Sequence, residues 1–223
     1  MKRVIDNEYF SLEDGILVIK NNDGMDYSHY AGSLKNEVKT VHIMDGVTFI
    51  GYRAFFAYTD LTNITIPDSV TFIGDSAFSY CTSLTSFTIP NSVTTIGVCT
   101  FEDCTGLTSI TIPDGVMTIG IGAFRNCTSL TSITIPDSVT AIGYWAFENC
   151  TSLTSITLPS RFKDNLKSMG IPDGVEVIFS DVIESKLADE VLGDDVYNHG
   201  AETSAKDEKN IENDEPDIGD DCL

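Results

Sequence analysis

The chain has few of the groups that carry out chemistry. Its 223 residues include 3 His and 1 Trp, and 13 Lys and Arg stand against 34 Asp and Glu. A formal charge of −21 with no basic cluster excludes the electrostatics of phosphate neutralisation. Neither nucleic acid nor an anionic membrane surface is therefore an expected partner. No apolar run approaches the roughly 18 residues that cross a bilayer, so membrane insertion is not expected. The opening MKRVIDNEYFSLEDG lacks the apolar stretch of a secretory leader, and a cytoplasmic location is the plain expectation. G-x-S-x-G, H-E-x-x-H, phosphate-loop and dinucleotide-binding glycine patterns are all missing. His29, His42 and His199 have no carboxylate or cysteine at ligand spacing. No catalytic, cofactor-binding or metal residues are expected, and the chain reads as a non-enzyme.

The charge is unevenly spread. Residues 181–223 hold 15 of the 34 acidic residues and 3 of the 13 basic ones. At their start, DVIESKLADEVL (181–192) sets Val182, Ile183, Leu187, Val191 and Leu192 at roughly helical spacing. A short amphipathic helix is expected there, docked on the last structural unit. Beyond Gly193 the acidic composition with few aromatics is that of disordered chain. The GDD stretches at 193–195 and 219–221 read as solvated charge, with weak calcium binding as the alternative.

What the chain has in abundance is repetition. A 23-residue unit runs five times, over 45–67, 68–90, 91–113, 114–136 and 137–159. Its pattern is D-[SG]-V-T-x-I-G-x-x-A-F-x-x-C-T-x-L-T-x-I-T-I-P, and the first unit departs most, with Tyr58 in the cysteine column. In the second unit Val70, Ile73, Ala77, Phe78, Leu84, Phe87 and Ile89 are apolar, and counterparts recur in the others. One 23-residue unit cannot bury so many apolar groups alone, but stacked units can. S-I-T-I-P alternates with period two, the signature of a half-buried strand, and the proline ends the ladder. Successive strands are expected about 4.8 Å apart. Gly74, Gly97, Gly120 and Gly143 mark a turn expected to need a permissive backbone. The A-F-x-x-C stretch suits one helical turn.

Cys81, Cys104, Cys127 and Cys150 occupy one column. Equivalent positions point their side chains in parallel, which suits neither the tetrahedron of zinc nor the converging Cβ vectors of a disulfide. A buried thiol ladder is the expected arrangement, with occasional disulfides or a metal as the alternatives. Cys99 stands in a different column, five residues before Cys104. Cys222 falls in the acidic tail and is expected to be exposed. Free thiols in this number suit a reducing compartment.

L-x-x-I-x-I-P followed by V-x-x-I-G-x-x-A-F-x-x-C resembles the leucine-rich repeats of the BspA-like class across 45–159. Residues 1–44 include a stretch, 16–44, similar to the degenerate unit that opens such arrays. Residues 160–180 keep I-P-D-G-V and resemble a closing cap, and 181–223 form the helix and tail. The resemblance implies a leucine-rich-repeat solenoid, a strand-rich right-handed coil. A parallel sheet would line its concave face and short helical turns its convex face. It also implies protein binding, with adhesin-like roles and a cell-surface or secreted location as the alternative to the cytoplasm. A monomer is expected.

Two surfaces are candidates for binding. The columns that vary between units lie around the turn, and Tyr52, Arg53, Phe56 and Tyr80 at one end and Tyr144 and Trp145 at the other form candidate protein-binding patches. Capping contact with the end segments is the alternative role for those rings. Phe49 and Phe72 extend the first patch. The second surface is the uniform strand face: Ser86, Thr88, Ser109, Thr111, Ser132, Thr134, Ser155 and Thr157. Its hydroxyls either reflect the fitness of Thr for strands or meet a repetitive carbohydrate or other polymer.

Overall fold

The computed structural model describes residues 4–21 and 35–181. The helix expected beyond Asp181, the acidic tail, Cys222, His29 and His199 lie outside them.

The array begins with an antiparallel meander: β1 (Ile5–Asp6), β2 (Phe10–Glu13) and β3 (Ile16–Ile19). From β3 onward every pairing is parallel. β4 (Thr40–Ile43) pairs β3 and then β6 (Asn63–Thr65). β8 (Ser86–Thr88) pairs β10 (Ser109–Thr111). β12 (Ser132–Thr134) pairs β14 (Ser155–Leu158), which carries β15 (Glu176–Phe179). Partners sit one unit apart, Ser109 against Ser86 and Ser155 against Ser132, so the sequence period is the structural step. A second parallel sheet runs alongside from two-residue strands, β5 (Phe49–Ile50), β7 (Phe72–Ile73), β9 (Thr95–Ile96), β11 (Thr118–Ile119) and β13 (Ala141–Ile142). The molecule is a leucine-rich-repeat β-solenoid.

The core is built from columns. Val47, Val70, Val93, Val116 and Val139 are buried, as are Leu61, Leu84, Leu107, Leu130 and Leu153. Phe55, Phe78, Phe101, Phe124 and Phe147 stack ring on ring, with centroids 5.3, 5.6, 5.6 and 5.7 Å apart and near-parallel planes. Phe87 sits edge-on to Phe78 and Phe101, at 4.8 and 4.7 Å, filling the strand position that other units give to Ile. Thr100 stands in the alanine column, and its buried hydroxyl donates to Gly97 O at 2.9 Å.

The turn side differs from expectation. In place of short helical turns, each A-F-x-x-C stretch is a run of tight turns whose amides alternate in direction. Ala54 N and Phe56 N bond three residues back, to Gly51 O and Arg53 O, while Arg53 N, Phe55 N and Ala57 N donate to Asp75 O, Ala77 O and Ser79 O of the next unit. A helix satisfies its amides within itself; here half of them tie the units together. The alternation requires two left-handed residues per unit, and positive φ recurs at Arg53, Ser76, Cys99, Gly122 and Trp145, and at Ala57, Tyr80, Asp103, Asn126 and Asn149. Asn and Asp, which tolerate this region best among residues with a Cβ, hold three of the latter five places.

The glycine column also has a different cause from the one expected. Gly74, Gly97, Gly120 and Gly143 are needed for close approach. A Cβ at Gly120 would lie 2.6 Å from Gly97 C, and one at Gly143 2.4 Å from Ile121 N. The units meet backbone to backbone where the chain leaves the second sheet.

Candidate functional site

The cysteine column is a ladder of unpaired, fully buried thiols. Each donates to a carbonyl of the preceding unit: Cys81 Sγ to Phe55 O, Cys104 to Phe78 O, Cys127 to Phe101 O and Cys150 to Phe124 O, at 3.1–3.2 Å. Burial pushes Cys104 and Cys150 up to about 12 and raises Cys81 and Cys127 well above the ordinary thiol range. A thiol held protonated is neither nucleophile nor metal ligand. Among the described residues no cluster of His, Cys, Asp and Glu is arranged to hold a metal. Cys99 is buried in the other column, its Sγ 3.3 Å from where a Cβ on Gly122 would stand.

Next to the thiols runs a column of unlike residues, Phe56, Ser79, Glu102, Arg125 and Glu148. Glu102 is 2% exposed. Its Oε1 accepts from Arg125 Nε at 2.7 Å and from Arg125 Nη2. Its Oε2, and Ser79 Oγ one unit earlier, are buried without a hydrogen-bond partner. Burial raises the Glu102 carboxyl above its usual range, and Arg125 opposes that shift. On the outer side Asn126 Nδ2 donates to Asp103 Oδ1 and Asn149 Nδ2 to Asn126 Oδ1, an amide ladder over three units. Burial, followed by the Asp103 charge, raises the Tyr80 hydroxyl above its ordinary range.

Of the turn-side candidates, four come together. The Arg53 guanidinium lies 5.3 Å from the Tyr52 ring centroid and 4.7 Å from that of Phe56, and Phe56 meets Tyr80 edge-on at 5.5 Å. Tyr52 is 58% exposed. Phe49 and Phe72 are paired across β5 and β7 and are 37% and 48% exposed, and the Phe49 ring lies over Gly51 beside Tyr52. At the other end Tyr144 and Trp145 are 6.2 Å apart. There the backbone is already engaged, Trp145 N and Phe147 N donating to Ser168 O and Met169 O.

On the strand face, Ser86, Thr88, Ser109, Thr111, Ser132 and Thr134 are exposed and Ser155 and Thr157 half-buried. No other side chain among the described residues hydrogen-bonds these eight hydroxyls. The flanking hydroxyls differ. Thr62, Thr108 and Thr154 donate to carbonyls of the preceding unit, as do Ser69, Ser92 and Ser138. His42 Nδ1 and Thr65 Oγ1 share a hydrogen bond of 2.8 Å, so that histidine acts as a face residue. Beside the face, Thr65, Thr88 and Thr111 with Asp68, Asn91 and Asp114 line a groove of about 600 Å³. Sequence reasoning passed over those acidic turn residues and the Glu102–Arg125 pair. The column comparison held the signal, since Asp45, Asp68, Asn91, Asp114 and Asp137 recur at one step.

The BspA type leucine rich repeat region, in six copies, matches residues 28–120 and 100–186. The chain belongs to that family. Among solved structures it is similar to a leucine rich repeat protein of T. pallidum, with 23% identity over 86% of this chain and 96% of that one and a TM-score of 0.54. It is also similar to a leucine-rich repeat protein of Bacteroides ovatus, with 30% identity and a TM-score of 0.50 over 71% of this chain and 46% of the other. The pneumococcal vaccine antigen PcpA shares the fold at 20% identity, over 78% of this chain and 48% of its own, with a TM-score of 0.56. The chain thus spans under half the length of the last two. Among curated proteins none matches.

Proposed function

We propose that this chain is a non-catalytic scaffold that binds another protein through the turn-side cluster at the start of the array. The observation that carries the reading is the exposure of Tyr52, Phe72 and Phe49 together beside a ring-stacked Arg53. Tyr and Arg are the usual anchors of protein interfaces, and a scaffold that needed only to be soluble would not present such rings together. An adhesin-like role is the extension suggested by the family. The test is a photo-crosslinking residue placed at 52, 72 or 134 in cells that make the protein. A discrete protein adduct from 52 and 72 but not from 134 supports the reading, and the adducted protein should bind Tyr52→Ala/Phe72→Ala at least tenfold more weakly. Adducts from 134 alone, or unchanged binding to the double variant, would overturn it.

A second reading rests on the strand face. Among the described residues its eight hydroxyls have no side-chain partner, whereas those flanking it are spent on rung carbonyls. That leaves a regular, charge-free grid open to a carbohydrate or other repetitive polymer. Thr111→Lys with Thr134→Lys should abolish retention on such a polymer; retention unaffected by two added charges would exclude the face.

A further inference from the structure

The two ends of the array are finished differently. At its start the chain lays an antiparallel partner on the first parallel strand, β2 on β3, and Phe10 and Leu12 are buried opposite Ile19 and Leu17. At its far end β15 pairs β14 on one side only, among the described residues. Val177 and Phe179 stand opposite Ile156 and Leu158, which are 0% exposed, yet both are only half-buried. In the same cap Leu166, Ile171 and Val175 are half-buried too. The last rung therefore presents an apolar face of the kind that inner rungs cover with the next unit.

The chain is held at the edge of this face where a further unit would begin. The register sets Phe179 against Leu158, so Ser180 and Asp181 fall one unit out from Pro159 and Ser160. The contacts match. The Asp181 carboxylate accepts from Ser160 N at 3.1 Å and from Ser160 Oγ, and Ser180 Oγ donates to Asp137 Oδ1 at 2.9 Å. The same count brings Ile183 to the column of Val139 and Phe162. Both of those are buried, each with its amide on the carbonyl three residues back, Pro136 O and Pro159 O. The sequence supplies an apolar residue for the next place and repeats it at four-residue steps, Ile183, Leu187 and Val191, a stripe that Glu184 and Glu190 border. Charge agrees. Residues 45–180 contain five Lys and Arg, and three of them, Arg161, Lys163 and Lys167, fall within 161–167. Lys163 and Lys167 are exposed, and neither amino group has a hydrogen-bond or ion-pair partner among the described residues.

We propose that residues 182–192 of this chain close the open end of the solenoid. Ile183, Leu187 and Val191 lie on the apolar face of the last rung, with Glu184 and Glu190 toward Lys163 and Lys167. The occupant is this chain's own segment and not a second copy, because Asp181 is already seated at the edge of the face and a single residue separates it from Ile183. Closure also removes β15 as an edge on which other chains could pair. The proposal shares no residue with the turn-side cluster and does not rest on it.

Hydrogen exchange of the full chain, followed by mass spectrometry, tests the contact. After correction for intrinsic rates, 183–191 should exchange about tenfold or more slowly than 201–221. Ile183→Asp/Leu187→Asp should abolish that protection and speed exchange of 176–179 about tenfold, with β8 and β10 as protected as in the parent chain. Ala201→Asp/Ala205→Asp, which adds the same charge further along the tail, should change neither. Lys163→Gln/Lys167→Gln should cut the protection about threefold. Carbodiimide coupling in an equal mixture of ¹⁵N-labelled and unlabelled full chain identifies the occupant without any substitution. Lys163 and Lys167 should join Glu184 or Glu190 in products of a single isotope. Mixed-isotope products as abundant as these would seat a second copy on the face, and coupling spread evenly over the acidic residues of 194–221 would leave 182–192 unseated; either overturns the proposal. So would exchange of 183–191 as fast as that of 201–221, equal effects of the two aspartate variants, or unchanged protection in the glutamine variant.

Discussion

Replacing Gly120 by alanine tests how closely the units meet. An ideal Cβ there falls 2.6 Å from Gly97 C and Gly97 O and 2.7 Å from Val98 N. All three are backbone atoms of the preceding unit, and none can swing aside as the end of a side chain would. Ordinary contact requires the units to part by roughly 0.8 Å, a gap that forfeits a quarter to a half of the dispersion attraction across it. The rung bonds Gly120 N to Ile96 O and Gly143 N to Ile119 O, both 2.8 Å, lie beside this contact. Overpacking costs about 1–3 kcal/mol, and each weakened rung bond adds about 1 kcal/mol. A loss of about 3 kcal/mol or more follows, which lowers Tm by roughly 6–12 °C for a chain of this size. Gly51 heads the same column, and its nearest neighbour would be Phe49 Cε2 at 4.0 Å. There alanine meets no clash and restricts the unfolded chain, so it should stabilise by about 0.4–1 kcal/mol. Thermal melts of the two variants, followed by circular dichroism, should therefore move in opposite directions. Equal losses at both positions, or an unchanged Tm for Gly120→Ala, would refute the close-approach account.

Three further outcomes are expected. The ladder thiols should resist a disulfide reagent in the native state and react on unfolding; because burial raises them above their unfolded value, the stability they contribute is full below about pH 8.5. That contribution is lost as pH rises toward about 12, so alkaline unfolding should move to higher pH when the four are replaced by alanine. Arg125→Ala should cost about 3–5 kcal/mol by stranding the Glu102 carboxylate. Since the Glu102 pKa is raised, the loss should shrink as pH falls and the group protonates, and Arg125→Ala/Glu102→Gln should recover most of it in urea unfolding at pH 7. Tyr144→Ala/Trp145→Ala should leave partner affinity within about twofold, because the rung behind these rings is already covered; a larger drop would move the site to the far end.

The period was legible in the residues because every unit must present the same face to its neighbour. Columns such as Phe78, Phe101 and Phe124 or Cys81, Cys104 and Cys127 therefore predict which side chains touch. The short strands of the second sheet were not legible, since two residues such as Thr95–Ile96 carry no periodicity. The turn side was misjudged because offsets 0, 1 and 4 fit a helix as well as a stack of left-handed turns. Gly122 and Asn126, Asn149 and Asp103 held that signal. The glycine column was visible, but its cause was not, because a close contact belongs to two units and a sequence displays them one at a time. At the candidate sites, Tyr52, Arg53, Phe56 and Tyr80 were identified from their variability. Asp68 and Asp114 were passed over because they look like ordinary turn residues until the groove beside them is seen.

The Glu102–Arg125 pair has a consequence for how the chain finds its own order. Near-identical units are interchangeable partners, so a nascent array can close with one unit skipped and still fill most of its columns. Apart from Phe87 and Thr100, the core positions do not tell the third unit from the second or the fourth. A buried carboxylate can, because only the unit carrying Arg125 neutralises it. If register is set this way, the pair acts as an address in an otherwise repetitive code, at some cost in desolvation. Removing it as Glu102→Ala/Arg125→Ala should leave the stack nearly as stable yet increase slow, misassembled species on refolding. Refolding as clean as that of the parent chain would show that the order is kept by the ends of the array alone.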